Sequence, residues 1–304
     1  MTDLFTGINA IEFGRRFQSQ EDCYRYLYSI KWKDGYRCKF CGCTDDIKGK
    51  TSFHRRCKSC KTDESVTANT LFHGLRMSIL KAFHLLFRTM TKKMGMSSVE
   101  LSTEVGVQQK TAWKFKLKVK NAMVQEKQRM LQGVVQVDET LVGGYSKGNV
   151  GRSLAEKSAV LIAVEDIGEG KTGNIRMEII ESFKAEIFDV AIDNMVENGS
   201  SIKTDNHKSY NKLKKKGKNI ETSNSDKGNL LQQLHKQIMC FKNWLRGTHL
   251  YCSKIYLQTY IDEYVFRFNR RNSRNSIFNS IIFKFMNAVP KTYKDLIAKC
   301  ALNT

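Results

Sequence analysis

The chain has 304 residues, 41% of them apolar, enough for one catalytic core carrying one or two small modules. Its 51 Lys and Arg against 30 Asp and Glu give a net charge of +21 and a pI near 9.6, which points to a polyanionic partner, nucleic acid first. The most apolar run, Ala159 to Val164, falls far short of the roughly 20 residues that cross a bilayer, and "MTDLFTGINAIEF" lacks a basic stretch leading into an apolar one, so a cytoplasmic protein without a membrane role is expected.

The positive charge is clustered, in "KFKLKVK" (114–120), "KLKKKGK" (212–218) and "RFNRRNSR" (267–274), which sets it apart from a diffusely basic surface. No amphipathic anchor or lipidation signal accompanies it. The single proline, Pro290, leaves Gly and polar clusters as the punctuation, so boundaries are soft.

From the N-terminus, "SQEDCYRYLYSI" predicts a short helix. It leads into "KWKDGYRCKFCGCTDDIKGKTSFHRRCKSCKTDESV", which reads as short strands around two knuckles. Cys38-Lys-Phe-Cys41 and Cys57-Lys-Ser-Cys60 each turn two thiolates toward one point, and together they complete the tetrahedron that zinc prefers. The competing reading is coincidental thiols or a redox pair. Cys23, Cys43, Cys240, Cys252 and Cys300 have no such pattern and read as buried small apolar residues, with Cys43 a spare ligand; His54 lies off the spacing. The module has few apolar residues, so structural Zn²⁺ is expected to supply much of its folding free energy.

"MSILKAFHLLFRTMTKK" has a helical period, and "SSVELSTEVGVQQKTAWKFKLKVKNAM" predicts two more helices around Gly106, the first opened by a capping box of Ser97 and Glu100. This is a helix-turn-helix candidate. Gln108, Gln109, Lys110 and Lys114 would meet base edges from the start of its second helix, while the later lysines would face phosphates. The plainer alternative is a helical hairpin with a solvated basic face.

From Gly133 the period changes. "GVVQVDETLVGG", "SAVLIAVEDI" and "GNIRMEIIESF" predict strands, followed by a helix (186–197), a strand "SIKTDNH", a short basic segment, a strand "NIETSN" and helices at 229–246 and 254–270. That order is the one expected of a ribonuclease-H-like fold. Alternation puts Asp138 on the strand face of Gln136, opposite Glu139, and Asp205 ends a short strand. Two carboxylates on adjacent strands can hold two divalent cations that clamp an in-line phosphoryl displacement, whereas each Asp alone would read as a strand-end residue.

The zinc ribbon, "VDETLVGG", "KTDNHKSY" and "WLRGTH…SKIYLQTYIDEYVFRFNRR" resemble the bacterial insertion-sequence transposases of the ISXO type, a DDE-transposase group, over about residues 10 to 285. The resemblance implies a ribonuclease-H-like core that uses Mg²⁺ to cleave at the element's ends and joins the freed 3′-OH to target DNA. It maps Asp138 and Asp205 onto the first two catalytic acids, which are also metal ligands. The third position, a Glu in the helix before "WLRG", falls on His235, and no Asp or Glu occurs from Lys227 to Ile261. Neutral imidazole can ligate a metal or orient water but adds no negative charge, which favours Mn²⁺ over Mg²⁺; a plain helix-surface histidine is the competing reading.

Tyr256, Tyr260, Tyr264 and Phe268 make a core stripe, while Arg267, Arg270 and Arg271 are expected at phosphates, with Asp262 and Glu263 supporting the fold or pairing with those arginines. The expected organisation is multidomain α+β: a helix and zinc ribbon (1–72), a helical DNA-binding module (73–127) and a catalytic domain (128–304). The expected partner is double-stranded DNA, both terminal inverted repeats and target, met by at least a homodimer in the bacterial nucleoid. The rival function is a catalytically inactive, sequence-specific DNA-binding protein derived from such an enzyme. A weaker third is a structure-specific nuclease without strand transfer.

Overall fold

The computed structural model describes residues 4–124, 130–143, 154, 157–222, 231–249 and 252–296. In chain order the elements are α1 (Ala10–Arg16), α2 (Gln20–Lys31), β1 (Asp46–Lys48), β2 (His54–Cys57), β3 (Asp63–Ser65), α3 (Ile79–Thr91), α4 (Ser98–Val105), α5 (Gln109–Ala122), β4 (Val134–Gly143), β5 (Lys157–Asp166), β6 (Thr172–Ile180), α6 (Ala185–Met195), β7 (Ser201–Thr204), α7 (Lys208–Lys215), β8 (Ile220–Thr222), α8 (Gln232–Thr248), α9 (Lys254–Asn269) and α10 (Ile277–Asn287). They fall into two compact units, one of Met1–Met123 with Ser273–Leu296 and one of Val124–Asn272 with Ile297–Thr304.

In the first unit the aromatic side chains decide the packing. Phe13 stacks on Phe87 at 4.0 Å, and Phe278 of α10 meets Phe5, Phe13, Phe17 and Phe83 within 6.0 Å. All six of these rings are buried, as is Phe285 two turns further along α10, 4.9 Å from Phe72. Asn279 closes the same core by donating to the carbonyl of Phe5 at 2.6 Å and bonding the Tyr26 hydroxyl. These contacts group the chain differently from the expected spans 1–72, 73–127 and 128–304. Residues 273–296 complete the N-terminal unit instead of extending the catalytic one, and the ribbon and helical modules share a single unit. A sequence period shows that a helix has an apolar face but not which core receives it.

The ribbon, an antiparallel sheet in the order β1-β2-β3, belongs to that unit. Lys31 of α2 pairs with Glu64 of β3 at 2.8 Å, both largely buried, and Arg55 of β2 lies over the rings of Tyr28 and Trp32. Ser19 caps α2 with the full reciprocal bond to Asp22.

The helix pair around Gly106 forms as predicted. Ser97 accepts from the Glu100 N–H, and Gly106 takes the left-handed conformation (φ 65°) that ends α4. Gln108 is the N-cap of α5, and Gln108, Gln109 and Lys110 are exposed. The later lysines do not face outward: Lys116 and Lys120 are each only 5% exposed, and the amine of Lys116 donates to the carbonyl of Met96. Their aliphatic stems cover core surface, so this part of the basic run serves packing.

The second unit holds a five-stranded sheet in the order β6-β5-β4-β7-β8. β4, β5 and β6 run antiparallel; β7 lies parallel to β4, and β8 parallel to β7. β5 is covered on both faces, with Ala159, Leu161 and Ala163 packing toward the α6 and α7 side and Val160, Ile162 and Val164 toward the α8 and α9 side. Burial on both faces explains why this strand reads as the most apolar run in the chain. The basic segment after β7 is a helix, α7, whose Leu213 and Tyr210 are buried while Lys208, Lys212, Lys214 and Lys215 are exposed. Lys216 and Lys218 at its end are held by Asp189 at 2.8 and 3.0 Å. Of the five unpatterned cysteines, Cys23 is buried, Cys43 and Cys252 are partly buried, Cys240 is exposed, and Cys300 lies outside the described residues. Among the described residues no helix is long and apolar enough to cross a membrane.

Phe278→Ala is expected to destabilise the first unit by about 3–5 kcal/mol. Hydrogen exchange of α3 should then accelerate with that of α10; protection of α3 at the wild-type level would show that α10 is dispensable to this core.

Candidate active site and metal centres

β4 is the central strand, and its length sets the site. It pairs with β7 from Val134↔Ser201 to Gln136↔Lys203, after which β7 ends at Thr204 while β4 runs on to Gly143. Carrying the register two residues further puts Asp205 beside Asp138, at the carboxyl end of β7, where β4 runs on without it.

Asp138 is mostly buried, its side chain 18% exposed. Burial, then the neighbouring charge of Glu139 and more weakly that of Asp205, pushes its carboxyl up to about 7, against the opposing pull of the Glu139 backbone N–H that donates to Oδ1 at 2.8 Å. Asp205 accepts from the N–H of His207 at 3.1 Å, which fixes its carboxylate at the entry to α7. Carboxylates held this close in a desolvated place are unfavourable alone and suit a divalent cation, hard and oxygen-seeking.

His235 lies in the first turn of α8, with Nε2 3.6 Å from Oδ2 of Asp138 and a side chain 42% exposed. It reaches that place because α8 is pinned to the sheet one residue earlier. The buried amide of Gln136 accepts from the Leu234 N–H at 3.1 Å and donates to Asp166 at 2.9 Å. Gln136 and Asp138 therefore share the face that meets α8, as alternation predicts. Glu139 points the other way, where the fully buried Tyr210 donates to it at 3.3 Å. Asp138, Asp205 and His235 lie around the middle of β4, where β7 ends, without closing on a point: among the described residues, the only set of three or more potential ligands within 4.8 Å of one another is the cysteine set.

Sequence reasoning did not find Gln136 or Tyr210. The signal for Gln136 was present, an amide at a core-facing position in "VVQVDET". Tyr210 carried no signal, because its partner is distant in sequence.

The arginines at the end of α9 and just beyond it, expected at phosphates, make contacts within the protein. Arg267 pairs with Glu263 at 2.8 Å, their side chains 10% and 0% exposed, so it is an internal ion pair. Arg271 lies over the Phe268 ring and donates to the carbonyls of Phe268 and Thr172. Arg270 is half-buried over Phe266 at 3.9 Å. Asp262 and Glu263 are buried and support the fold, and the aromatic stripe of α9 packs on the sheet with Tyr264 in the core.

Cys38, Cys41, Cys57 and Cys60 come together with all four sulfurs within 4.8 Å of one another. The Cys38–Cys60 and Cys41–Cys57 sulfurs stand 3.5 Å apart, near the edge of about 3.8 Å that a zinc thiolate tetrahedron requires. Hydrogen bonds from Thr62 hold Cys60 down at about 6, toward the thiolate that a metal needs. Cys43 and His54 are not in the set: the Cys43 thiol points at the Asp45 carbonyl and His54 bonds Thr51. The four residues fit zinc, which would tie the turn before β1 to the turn after β2.

Residues 130–269 match the family model described as ISXO2-like transposase domain, and residues 18–63 match the one described as transposase zinc-ribbon domain. No curated protein matches the chain.

One zinc per chain is expected by elemental analysis, lost in Cys38→Ser and in Cys57→Ser and kept in Cys43→Ser; zinc lost from Cys43→Ser would displace the four-cysteine assignment. Gln136→Ala orphans the Leu234 N–H and should cost about 1–3 kcal/mol in urea unfolding. If His235 depends on that amide for its place, the variant also weakens Mn²⁺ binding, measured by calorimetry; wild-type affinity would show that α8 holds its position without it.

Proposed function

We propose that this chain, a member of the family of ISXO2-like transposases, cleaves DNA at the ends of a mobile element and joins the freed 3′-OH to target DNA on a ribonuclease-H-like core. The observation that supports the reading is the nearness of His235 to Asp138, 3.6 Å from Nε2 to Oδ2, with Asp205 following in register on the parallel neighbour of the strand that carries Asp138. The sheet order, with the fourth and fifth strands parallel to the first, supports the core assignment.

Both steps are in-line displacements at phosphorus that differ only in nucleophile, water first and the 3′-OH second, so one site serves both. Asp138 and Asp205 would hold divalent cations, Mg²⁺ or Mn²⁺, which supply charge neutralisation at the attacking and leaving oxygens. His235 takes the place of a third acid. Its imidazole offers a nitrogen donor to a cation or accepts the proton of the attacking water, and carries no charge while neutral. With two acids instead of three, the site binds cations less strongly by charge and more by ligand type, which favours Mn²⁺.

Zinc steadies the ribbon, and the exposed start of α5, with Gln108, Gln109, Lys110 and Lys114, reads the terminal inverted repeats. Two ends must be held together for transfer, so the working form on DNA is a dimer or larger, acting in the bacterial nucleoid.

The second reading, a catalytically inactive DNA-binding protein descended from such an enzyme, is favoured by the absence of any acid from Lys227 to Ile261. Strand transfer on labelled element-end DNA, with Mg²⁺ or Mn²⁺ and with Asp138→Ala, Asp205→Ala and His235→Ala, separates the two. Wild type should cut and join, faster in Mn²⁺, and each variant should lose activity roughly a hundredfold or more while still binding DNA. Wild-type protein that binds the ends and cuts with neither cation would sink the enzyme; His235→Ala with undiminished rate would return His235 to the helix surface.

A further inference from the structure

Within the first unit, a cleft of about 780 Å³ lies between the start of α5, the loop before α3 and the segment after α10. Its lining includes Arg76, Lys110, Lys114, Lys118, Lys291 and Tyr293, and no carboxylate. Five cations thus surround one recess, and Lys114 and Lys118 rest against neutral groups. Lys118 donates to the carbonyl of Leu71 at 3.2 Å, Lys291 to the amide oxygen of Asn121 at 2.6 Å, and the Lys114 amine sits 4.6 Å over the Tyr293 ring. Asp295, just outside the lining, draws on the charge of Lys291 but is itself committed to Thr292, accepting from its N–H and hydroxyl at 2.7 Å each. Burial also holds the Lys118 amine below the ordinary lysine range, the mark of a cation short of an anion. Arg76 and Lys110 are exposed at the rim.

Charge alone would suit any phosphate. The size and the ring narrow the choice. The volume falls within the range of about 300–1,000 Å³ of small-ligand sites, more than one phosphate fills and enough for a nucleotide unit. Tyr293 is 37% exposed, a large aromatic left at the surface beside the cations. A cationic groove lined by an exposed aromatic is how proteins hold unpaired strands, because each base then stacks on a ring while phosphates meet the cations. A duplex keeps its bases inside the helix and cannot lay one on a recessed ring.

We propose that this cleft seats a single DNA strand, with phosphates on Arg76, Lys110 and Lys291 and one base against the ring of Tyr293. The assignment rests on DNA as the partner of this protein. It gives the segment after α10 a binding role beside its packing role, and it sets an unpaired strand beside the duplex-reading start of α5, with Lys110 shared between the two.

The test uses the full zinc-loaded chain, with no added divalent cation and no chelator. Fluorescence anisotropy of a short labelled oligothymidylate and of a labelled duplex is recorded across a salt series. Tyr293→Ala should weaken oligothymidylate binding about tenfold, the size of one lost stacking contact, while Tyr293→Phe binds as wild type. Arg76→Ala should lower the salt slope by about 0.7, one phosphate contact to a single strand, and duplex affinity should change little in the Tyr293 variants. Zinc content and thermal midpoint establish that each variant is folded. The cleft is overturned if both alanine variants bind oligothymidylate like wild type, if Tyr293→Phe falls together with Tyr293→Ala, or if Tyr293→Ala costs the duplex as much as the single strand. Because the readout needs no catalysis, strand binding that depends on Arg76 and Tyr293 in a protein that never cuts keeps the cleft and removes the enzyme. An active enzyme whose strand binding ignores both residues does the reverse.

Discussion

The second unit depends on an amide buried between its central strand and one helix. Gln136 meets α8 through the Leu234 N–H and holds Asp166 with its other end, so both halves of a polar side chain in a dry place are satisfied. The bond fixes the rotation of α8 about its own axis at the residue before His235. Without such a fixed point, a helix resting on an apolar sheet face is free to slide by fractions of a turn at little cost. The site tolerates none of that, since Asp138 and His235 come from elements that meet only there. Asp205 needs no separate anchor, because β7 pairs directly with β4 and the ladder sets its height.

Placing Asp138 in that setting has an electrostatic cost that sequence does not display. Its strand neighbour Glu139 faces the opposite layer, bonded to Tyr210, yet the two carboxyls remain close enough for each to feel the other. The layer under the sheet therefore carries negative charge too, and any cation bound above it feels a field from both faces. The number of acids in α8 is then an incomplete measure of what the site offers a metal.

Much of this was legible in the sequence, for reasons that differ by element. The two CxxC knuckles were legible because four ligands to one point leave few arrangements. The strands around Asp138 were legible because β5 is buried on both faces and reads as an unbroken apolar run. The alternation in "VVQVDET" placed Gln136 and Asp138 on one face. What escaped was whatever depends on a partner far along the chain: the home of α10, the inward turn of Lys116 and Lys120, and the pairing of Tyr210 with Glu139. A lysine in a basic run and a lysine lying along a core look alike until the neighbouring helix is in place. The basic segment of α7 read as a connection because charge masked the spacing of Tyr210 and Leu213.

The first unit is built from both ends of the chain, with the second inserted between Met123 and Ser273. During synthesis the ribbon and helices α1 to α5 emerge early but lack Phe278 and Phe285, so their core closes only after the whole inserted unit has been made. A product that stops short of α10 can therefore carry the whole five-stranded sheet and still have an open first core. The two units become complete together only once the last helix has been made.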